Sequence, residues 1–226
     1  MKTIVFIPAR GGSKGVPRKN VRFFAGKPLV VHSIEQALGA EGIDAVIVST
    51  DDQEIATISQ NAGAQIITRP ASLSGDKATS ESALAHALGE LEQQGETIEK
   101  VVFLQATSPL RPKNCITEAL ARFDEGKFDS LLSISPTHRF FWRVQGDKAV
   151  AEYDFLNRPC RQDILPEDIR YVENGSLYIF STEHFKKVGN RLGGKIGYIL
   201  FEEEYSFEID SETDFRVLEE VAKSIF

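Results

Sequence analysis

Short, nearly continuous apolar runs alternate along this chain with helix-length amphipathic segments, and that rhythm limits what it can fold into more than any other feature. The runs are Thr3 to Pro8, Ala45 to Ser49, Gln65 to Thr68, Val101 to Gln105 and Ser130 to Ser135. Strands without a polar side are buried on both faces, as in a parallel sheet covered by helices. Between them, Pro28 to Leu38, Gln53 to Asn61, Glu81 to Glu92 and Asn114 to Asp124 carry helical spacing. The order strand, helix, strand predicts an α/β three-layer sandwich with a mostly parallel sheet. Right-handed crossovers then set the strand C-termini along one edge, where ligands of open α/β sheets bind.

Boundary signals agree with this reading. Thr50 and Gln53 have the spacing of a capping box, and Gly63, Gly95 and Gly126 stand where helices should stop. The rhythm breaks near Pro136, where Thr137-His138-Arg139-Phe140-Phe141-Trp142-Arg143 opens an aromatic and charged excursion at about 137–172. Short strands such as Lys148 to Glu152 are expected there. The pattern resumes with Ser176 to Phe180 and Ile196 to Phe201, and a last helix runs from Thr213 to Ile225. With 226 residues, 42% of them hydrophobic, the chain reads as one domain over 1–226 carrying that insertion.

Composition narrows the partners. A net charge of -7, from 26 basic and 33 acidic residues, argues against a nucleic-acid surface. The N-terminus meets Pro8 and Arg10 before any long apolar stretch, and nothing approaches the roughly 18 uncharged residues of a spanning helix. No membrane partner and a cytoplasmic location are therefore expected. Cys115 and Cys160 lie far apart and outside any CxxC pair, against a disulfide scaffold or a zinc site. His32, His86, His138 and His184 form no HExxH or close cluster, so no general base is assigned.

In this acidic chain the loop after the first strand is an exception. Arg10, Lys14, Arg18, Lys19 and Arg22 place five basic residues and no acidic one in thirteen positions, among Gly11, Gly12, Ser13 and Gly15. Glycines let successive N–H groups converge on phosphate oxygens, and Lys and Arg neutralise charge that develops in phosphoryl transfer. A solvated turn explains the glycines but not the one-signed charge. Gly11-Gly12-Ser13-Lys14-Gly15 also matches GxSxG, yet a nucleophile elbow leads directly into a helix, and here Pro17 and charged residues follow. GxxxxGK[ST] and GxGxxG are both absent.

Ile7-Pro8-Ala9-Arg10-Gly11-Gly12-Ser13-Lys14-Gly15, with Lys19-Asn20, resembles the signature of the acylneuraminate (CMP-sialic acid) cytidylyltransferase family. Further matches follow in order: Arg69-Pro70-Ala71-Ser72-Leu73 with Asp76 and Ser80, then Leu104-Gln105-Ala106-Thr107-Ser108-Pro109-Leu110-Arg111. Arg161-Gln162-Asp163, Asn174-Gly175-Ser176-Leu177-Tyr178 and Glu208-Ile209-Asp210-Ser211-Glu212-Thr213-Asp214 complete them. The resemblance implies a nucleotide-diphospho-sugar transferase type of fold. It also implies transfer of CMP from CTP to the anomeric hydroxyl of a 2-keto sugar acid, with pyrophosphate released, Mg²⁺ as cofactor and a homodimer exchanging its excursion. A 3-deoxy-octulosonate or other sugar nucleotidyltransferase is the alternative enzyme, and an inactive nucleotide-binding regulatory module the alternative of another class.

By this resemblance Arg10 and Lys19 contact the triphosphate, with Lys14, Gly11, Gly12 and Ser13 beside them, and Asn20, Arg69, Ala78 and Ser80 recognise cytosine and ribose. Gln105 is the family's candidate for holding the sugar, and a polar side chain ending an apolar strand is well placed for a ligand. Thr107, Ser108 and Arg111 either join it or cap the following helix. Arg161 matches the candidate for the sugar carboxylate, with Arg158 and Arg170 as near competitors, and Tyr178 is either a ligand or a core aromatic. Glu208 and Asp210, two apart on an extended segment, project to one face as hard oxygen donors for Mg²⁺. The family usually has Asp where Glu208 stands. Asp210 and Ser211 also precede a helix that Ser211 and Asp214 can cap.

Overall fold

The computed structural model describes residues 1–225. Its main sheet has seven strands: β1 (Lys2–Pro8), β4 (Ala45–Thr50), β5 (Gln65–Thr68), β6 (Ile98–Leu104), β7 (Ser130–Thr137), β10 (Arg170–Ser181) and β11 (Ile196–Leu200). They lie in the order β11-β7-β10-β6-β1-β4-β5. All pairings are parallel except those of β10, which runs antiparallel between β6 and β7. Short strands β2 (Phe23–Phe24) and β3 (Lys27–Pro28) pair beside the loop that follows β1.

Helices α1 (Leu29–Leu38), α2 (Gln53–Asn61) and α4 (Cys115–Gly126) cover one face, and α3 (Ser80–Gln93) and α5 (Thr182–Val188) the other. The alternation of side chains along β1 makes this division: Val5 and Ile7 join Ile34, Ile55 and Ile116, whereas Ile4 and Phe6 join Leu84, Leu88 and Phe185. Both faces of the sheet are thus dry, which is why its strands read as unbroken apolar runs.

A third cluster positions the site. Val16 of the glycine-rich loop packs with Phe24, Leu29, Leu110 and Ile209 and with Phe215 and Leu218 of α6 (Glu212–Ile225). Phe24 meets Phe215 edge to face at 5.7 Å, and the Arg22 guanidinium lies 4.0 Å over the Phe215 ring. Burying Val16 contributes about 1.5–3 kcal/mol and ties the loop to a stretch some 190 residues away in sequence.

Three boundaries differ from the sequence reading. Asp52, not Thr50, caps α2: its carboxylate accepts from Glu54 N and Ile55 N, while Thr50 Oγ1 accepts from Asp52 N. α4 includes Gly126 and ends on Lys127 at φ 47°, so the left-handed stop falls one residue late. At its start, Asn114 and not Thr107, Ser108 or Arg111 precedes the first turn. Ser211 and Asp214 do bond reciprocally at the start of α6.

The excursion holds a hairpin, β8 (Trp142–Gln145) with β9 (Lys148–Ala151), followed by single 3-10 turns at 161–163 and 166–168. Phe141, Trp142, Val144, Phe155 and Leu156 are exposed on it. No helix among the described residues is long and apolar enough to cross a membrane.

Candidate active site

The C-terminal ends of β1, β5 and β6 open on one cleft of about 390 Å³. Its wall on one side is the glycine-rich loop, with Arg10, Ser13, Lys14, Gly15, Lys19 and Asn20; opposite stand Arg69, Gly75, Asp76, Ala78, Thr79 and Ser80. Gln105, Ala106, Thr107 and Asp210 close its far end. Residues from four separate stretches of sequence converge: three follow parallel strands, which deliver their C-termini to the same edge, and Asp210 comes from the segment before α6.

The loop is held from behind. Gly11 N donates to Asp51 Oδ1 at 3.0 Å, and Arg18 is paired with both Asp52 and Glu54. Those carboxylates hold the Arg18 guanidinium well above its ordinary pKa, and Arg18 in turn pulls Asp52 down. Gly11 N–H therefore serves the scaffold and is not free for a phosphate oxygen. Asn20 Nδ2 donates to Arg10 O at 3.0 Å. Gly15 presses on the segment before α6 so closely that a Cβ would lie 1.9 Å from Asp210 O. Any larger residue there would push loop and carboxylate apart.

The basic side chains have distinct settings. Lys19 is buried, its Nζ donating to Ile209 O and lying 3.3 Å from Asp210 Oδ1. An ammonium has three donors, so one remains for the cleft. Arg69 is buried too, its fork on Ser49 O at 2.8 Å and Ser49 Oγ at 3.1 Å. Burial pushes its pKa down, Asp51 opposes that, and the charge of Arg10 adds to the lowering. Arg10 and Lys14 face Asp76, at 3.7 Å and 2.6 Å. Lys14, then Arg10, hold the Asp76 carboxyl below its usual range.

Beside Gln105, Gly175 adopts φ 65° where β10 bulges away from β7. A Cβ there would sit 1.6 Å from Glu208 Oε1 and 2.8 Å from Gln105 Nε2, so both side chains rest on bare backbone. Burial raises the Glu208 pKa, and the charge of Asp210 raises it further while Lys19 opposes. Among the described residues no group of three or more His, Cys, Asp or Glu side chains gathers as a metal site. The hard carboxylate oxygens of Asp210 and Glu208 are donors of the kind Mg²⁺ takes, one or two from the protein with phosphate and water completing its shell. Asp210 lines the cleft; Glu208 lies behind it against Gly175.

Four other expected contacts fall outside the cleft. Ser108 is fully buried and its hydroxyl has no partner. Tyr178 is 2% exposed, T-stacked on Phe103, and donates its hydroxyl to Glu173, which makes it a core aromatic. Gly12 is exposed on the loop without lining the cleft. Arg161 sits exposed in the excursion, beside a separate pocket lined by His138, Phe140 and Arg158. Arg170, in the excursion as well, begins β10, and Arg158 stacks on Phe140 at 4.4 Å. Sequence reasoning missed Asp51 and Asp52, whose place after β4 on the ligand edge was the available signal.

Known proteins of similar sequence point the same way. A family model described as cytidylyltransferase matches residues 4–225. N-acylneuraminate cytidylyltransferase A of Danio rerio is 36% identical over 220 residues, 95% of this chain and 49% of its own length. Pseudaminic acid cytidylyltransferase of Campylobacter jejuni subsp. jejuni serotype O:23/36 (strain 81-176) is 34% identical over 187 residues, 82% of this chain and 70% of its own. This chain spans about half the length of the N-acylneuraminate relatives it matches. The solved structure of CMP:2-keto-3-deoxy-manno-octonic acid synthetase complexed with CTP covers all of both chains at TM-score 0.72 and 16% identity, a likeness of fold.

Proposed function

This chain belongs to the cytidylyltransferase family, and from that premise we propose that it transfers CMP from CTP to the anomeric hydroxyl of a nonulosonate, N-acetylneuraminate or a relative such as legionaminate. The observation that carries the reading is the convergence of Arg10, Lys14, Lys19 and Arg69 with Gln105 and Asp210 in one cleft. Arg10, Lys14 and Lys19 suit a triphosphate, Arg69 the nucleoside attached to it, and the Gln105 amide a hydroxylated acceptor.

In the step proposed, the anomeric oxygen attacks the α-phosphorus, forming the new P–O bond as the bond to the β-phosphate breaks and pyrophosphate leaves in line. The hydroxyl proton passes to solvent or to a nearby oxygen base. Catalysis in such transfers is alignment and charge neutralisation. Arg10 and Lys14 bind the departing phosphates, and the third donor of Lys19 meets an oxygen near Asp210. Gln105 orients the acceptor, and Asn20, Arg69, Ala78 and Ser80 frame the nucleoside. Asp210, with Glu208 behind it, would hold Mg²⁺, which when bound offsets negative charge on the triphosphate.

Arg161 reaches an acceptor carboxylate, in this reading, from the exchanged excursion of a second copy. The exposed Phe141, Trp142, Val144 and Phe155 support a homodimer formed through that segment. A reducing compartment, the cytoplasm, suits Cys115 and the exposed Cys160, both free.

Pyrophosphate release from each nucleoside triphosphate paired with each of several sugar acids tests the function. CTP with a nonulosonate should give turnover, abolished by chelation and restored by Mg²⁺. Turnover only with 3-deoxy-octulosonate or a sugar 1-phosphate would move the acceptor class, and CTP binding without any turnover would make the protein a nucleotide sensor.

A further inference from the structure

Arg111 ends the segment after β6, where a solvent-exposed cation would be unremarkable, yet it is 4% exposed. Nη1 donates to Ser33 Oγ and to Gln36 Oε1 of α1, both at 2.9 Å. Nη2 donates to Gln105 O at 2.7 Å and to Ser176 O at 2.9 Å. Nε is buried without a partner, and no carboxylate among the described residues pairs with the guanidinium. Burial pushes its pKa down to about 10, so it stays charged at neutral pH.

An unpaired buried cation is a costly way to fill space, and an apolar side chain of similar volume would do so at less cost. What an apolar residue cannot supply is a rigid planar fork bridging one carbonyl just past β6 and one within β10. The two carbonyls belong to Gln105, whose amide closes the cleft, and to Ser176, which follows the Gly175 turn on which that amide rests. Ser33 and Gln36 fix the fork from the far side, and Gln36 Nε2 also donates to Pro109 O at 2.9 Å, tying the same segment to α1.

We propose that Arg111 is a positioning residue for the acceptor: by bracing the end of β6 against the β10 bulge it sets where the Gln105 amide stands, while leaving the nucleotide side untouched. The proposal rests on the acceptor reading given above. Arg111→Lys keeps a cation but loses the fork. With an acceptor that the wild type turns over, the variant should raise acceptor KM or lower kcat about tenfold, since small misplacements of a positioning group are costly. Its Kd for CTP by calorimetry should stay within about twofold. A residue that only holds the fold together would lower the melting temperature and leave the split between acceptor and CTP constants unmoved. Wild-type acceptor constants, or CTP and acceptor constants weakening in parallel, would overturn the assignment. Should Arg111→Lys not fold, Ser33→Ala decides by the same measure, with acceptor KM expected to rise about two- to threefold and unchanged constants counting against it. Failure of the acceptor reading itself has a different signature, a wild type that binds CTP but turns over no sugar acid. In that event amide hydrogen exchange still tests the brace: it should quicken at 105–108 and 175–177 in the variant, and unchanged exchange there overturns the proposal.

Discussion

The nucleotide side of the cleft and the excursion at 137–172 are built in opposite ways. Around the glycine-rich loop the cleft groups are anchored within the chain: the side chains of Lys19 to Ile209 O, Asn20 to Arg10 O and Arg69 to Ser49, and the backbone N–H of Gly11 to the Asp51 carboxylate. In the excursion, Phe141, Trp142 and Phe155 are exposed, and what its side chains do meet lies within the excursion itself: Arg158 stacks on Phe140, Arg143 pairs with Glu152, and Trp142 packs on Tyr153. A phosphate cradle gains from being fixed before its ligand arrives, because fixed dipoles and charges need no reorganisation when the transition state forms. A segment that leaves large apolar side chains exposed gains its order from whatever covers them. In the function proposed above, that difference corresponds to CTP bound by one chain and the acceptor bound with help from a second copy.

The strongest way to break that division is to disable each side separately. Arg10→Ala should lower turnover by about 10²–10³-fold with the melting temperature little changed, since the side chain is partly exposed and faces the cleft. Arg161→Ala should instead raise acceptor KM, about tenfold or more, and leave CTP affinity alone. Mixing the two impaired variants, assayed at acceptor concentrations well below the raised KM, is the sharper test. If the excursion is exchanged between copies, a heterodimer owns one intact cleft and one intact arginine, and activity returns to a sizeable fraction of wild type. No recovery on mixing, with exchange of subunits verified by mass, would place Arg161 in its own chain's site or in none.

The same division marks what could be read from sequence. Arg10, Lys14 and Lys19 stand out locally as one-signed charge among glycines, and Gln105 as a polar end to an apolar strand whose C-terminus a parallel sheet brings to the ligand edge, whereas Asn20 and Arg69 were legible only through the family resemblance. Direction was not legible for β10, because the apolar run Leu177–Phe180 reads alike as a parallel or an antiparallel strand and only Phe103, Leu104 and Leu132 across from it fix the sense. Asp52 displaced Thr50 as the cap of α2 because both residues qualify locally and the pull of Arg18 favours the carboxylate. Arg111 pointed inward for reasons spread over α1 and β10, distant stretches that no sequence window contains. Tyr178 turned out to be core for a similar reason, its ring held by Phe103 and its hydroxyl by Glu173.

A smaller effect probes how the cradle is poised. Asp76 is the carboxylate that Lys14 and Arg10 face, and a triphosphate must compete with it for both. Asp76→Asn keeps the shape and removes the charge. CTP should then bind about two- to fivefold tighter at low salt, with the gain shrinking as salt rises, the range expected of exposed ion pairs. Weaker binding would mean that Asp76 itself contacts the nucleotide.

The least effect comes from the two thiols, which sample the two regions. Cys160 is exposed in the excursion and should react with a thiol reagent at pH 8 in the folded protein, whereas Cys115, buried beside Arg111, should react only on unfolding. Burial pushes the Cys115 thiol from 9.0 up to about 11, Glu118 adding to the rise and the Arg111 cation opposing it. A folded pKa above the unfolded one contributes stability that is complete below pH 9 and declines as pH climbs toward 11, since the unfolded chain sheds that proton first. Two pKa units correspond to about 2–3 kcal/mol across that window. Cys115→Ala removes the thiol, so denaturant melts of variant and wild type should differ in slope with pH between 9 and 11 and run parallel below 9. Parallel curves throughout would show that the thiol meets water in the folded chain, and that the brace around Arg111 opens more than its hydrogen bonds indicate.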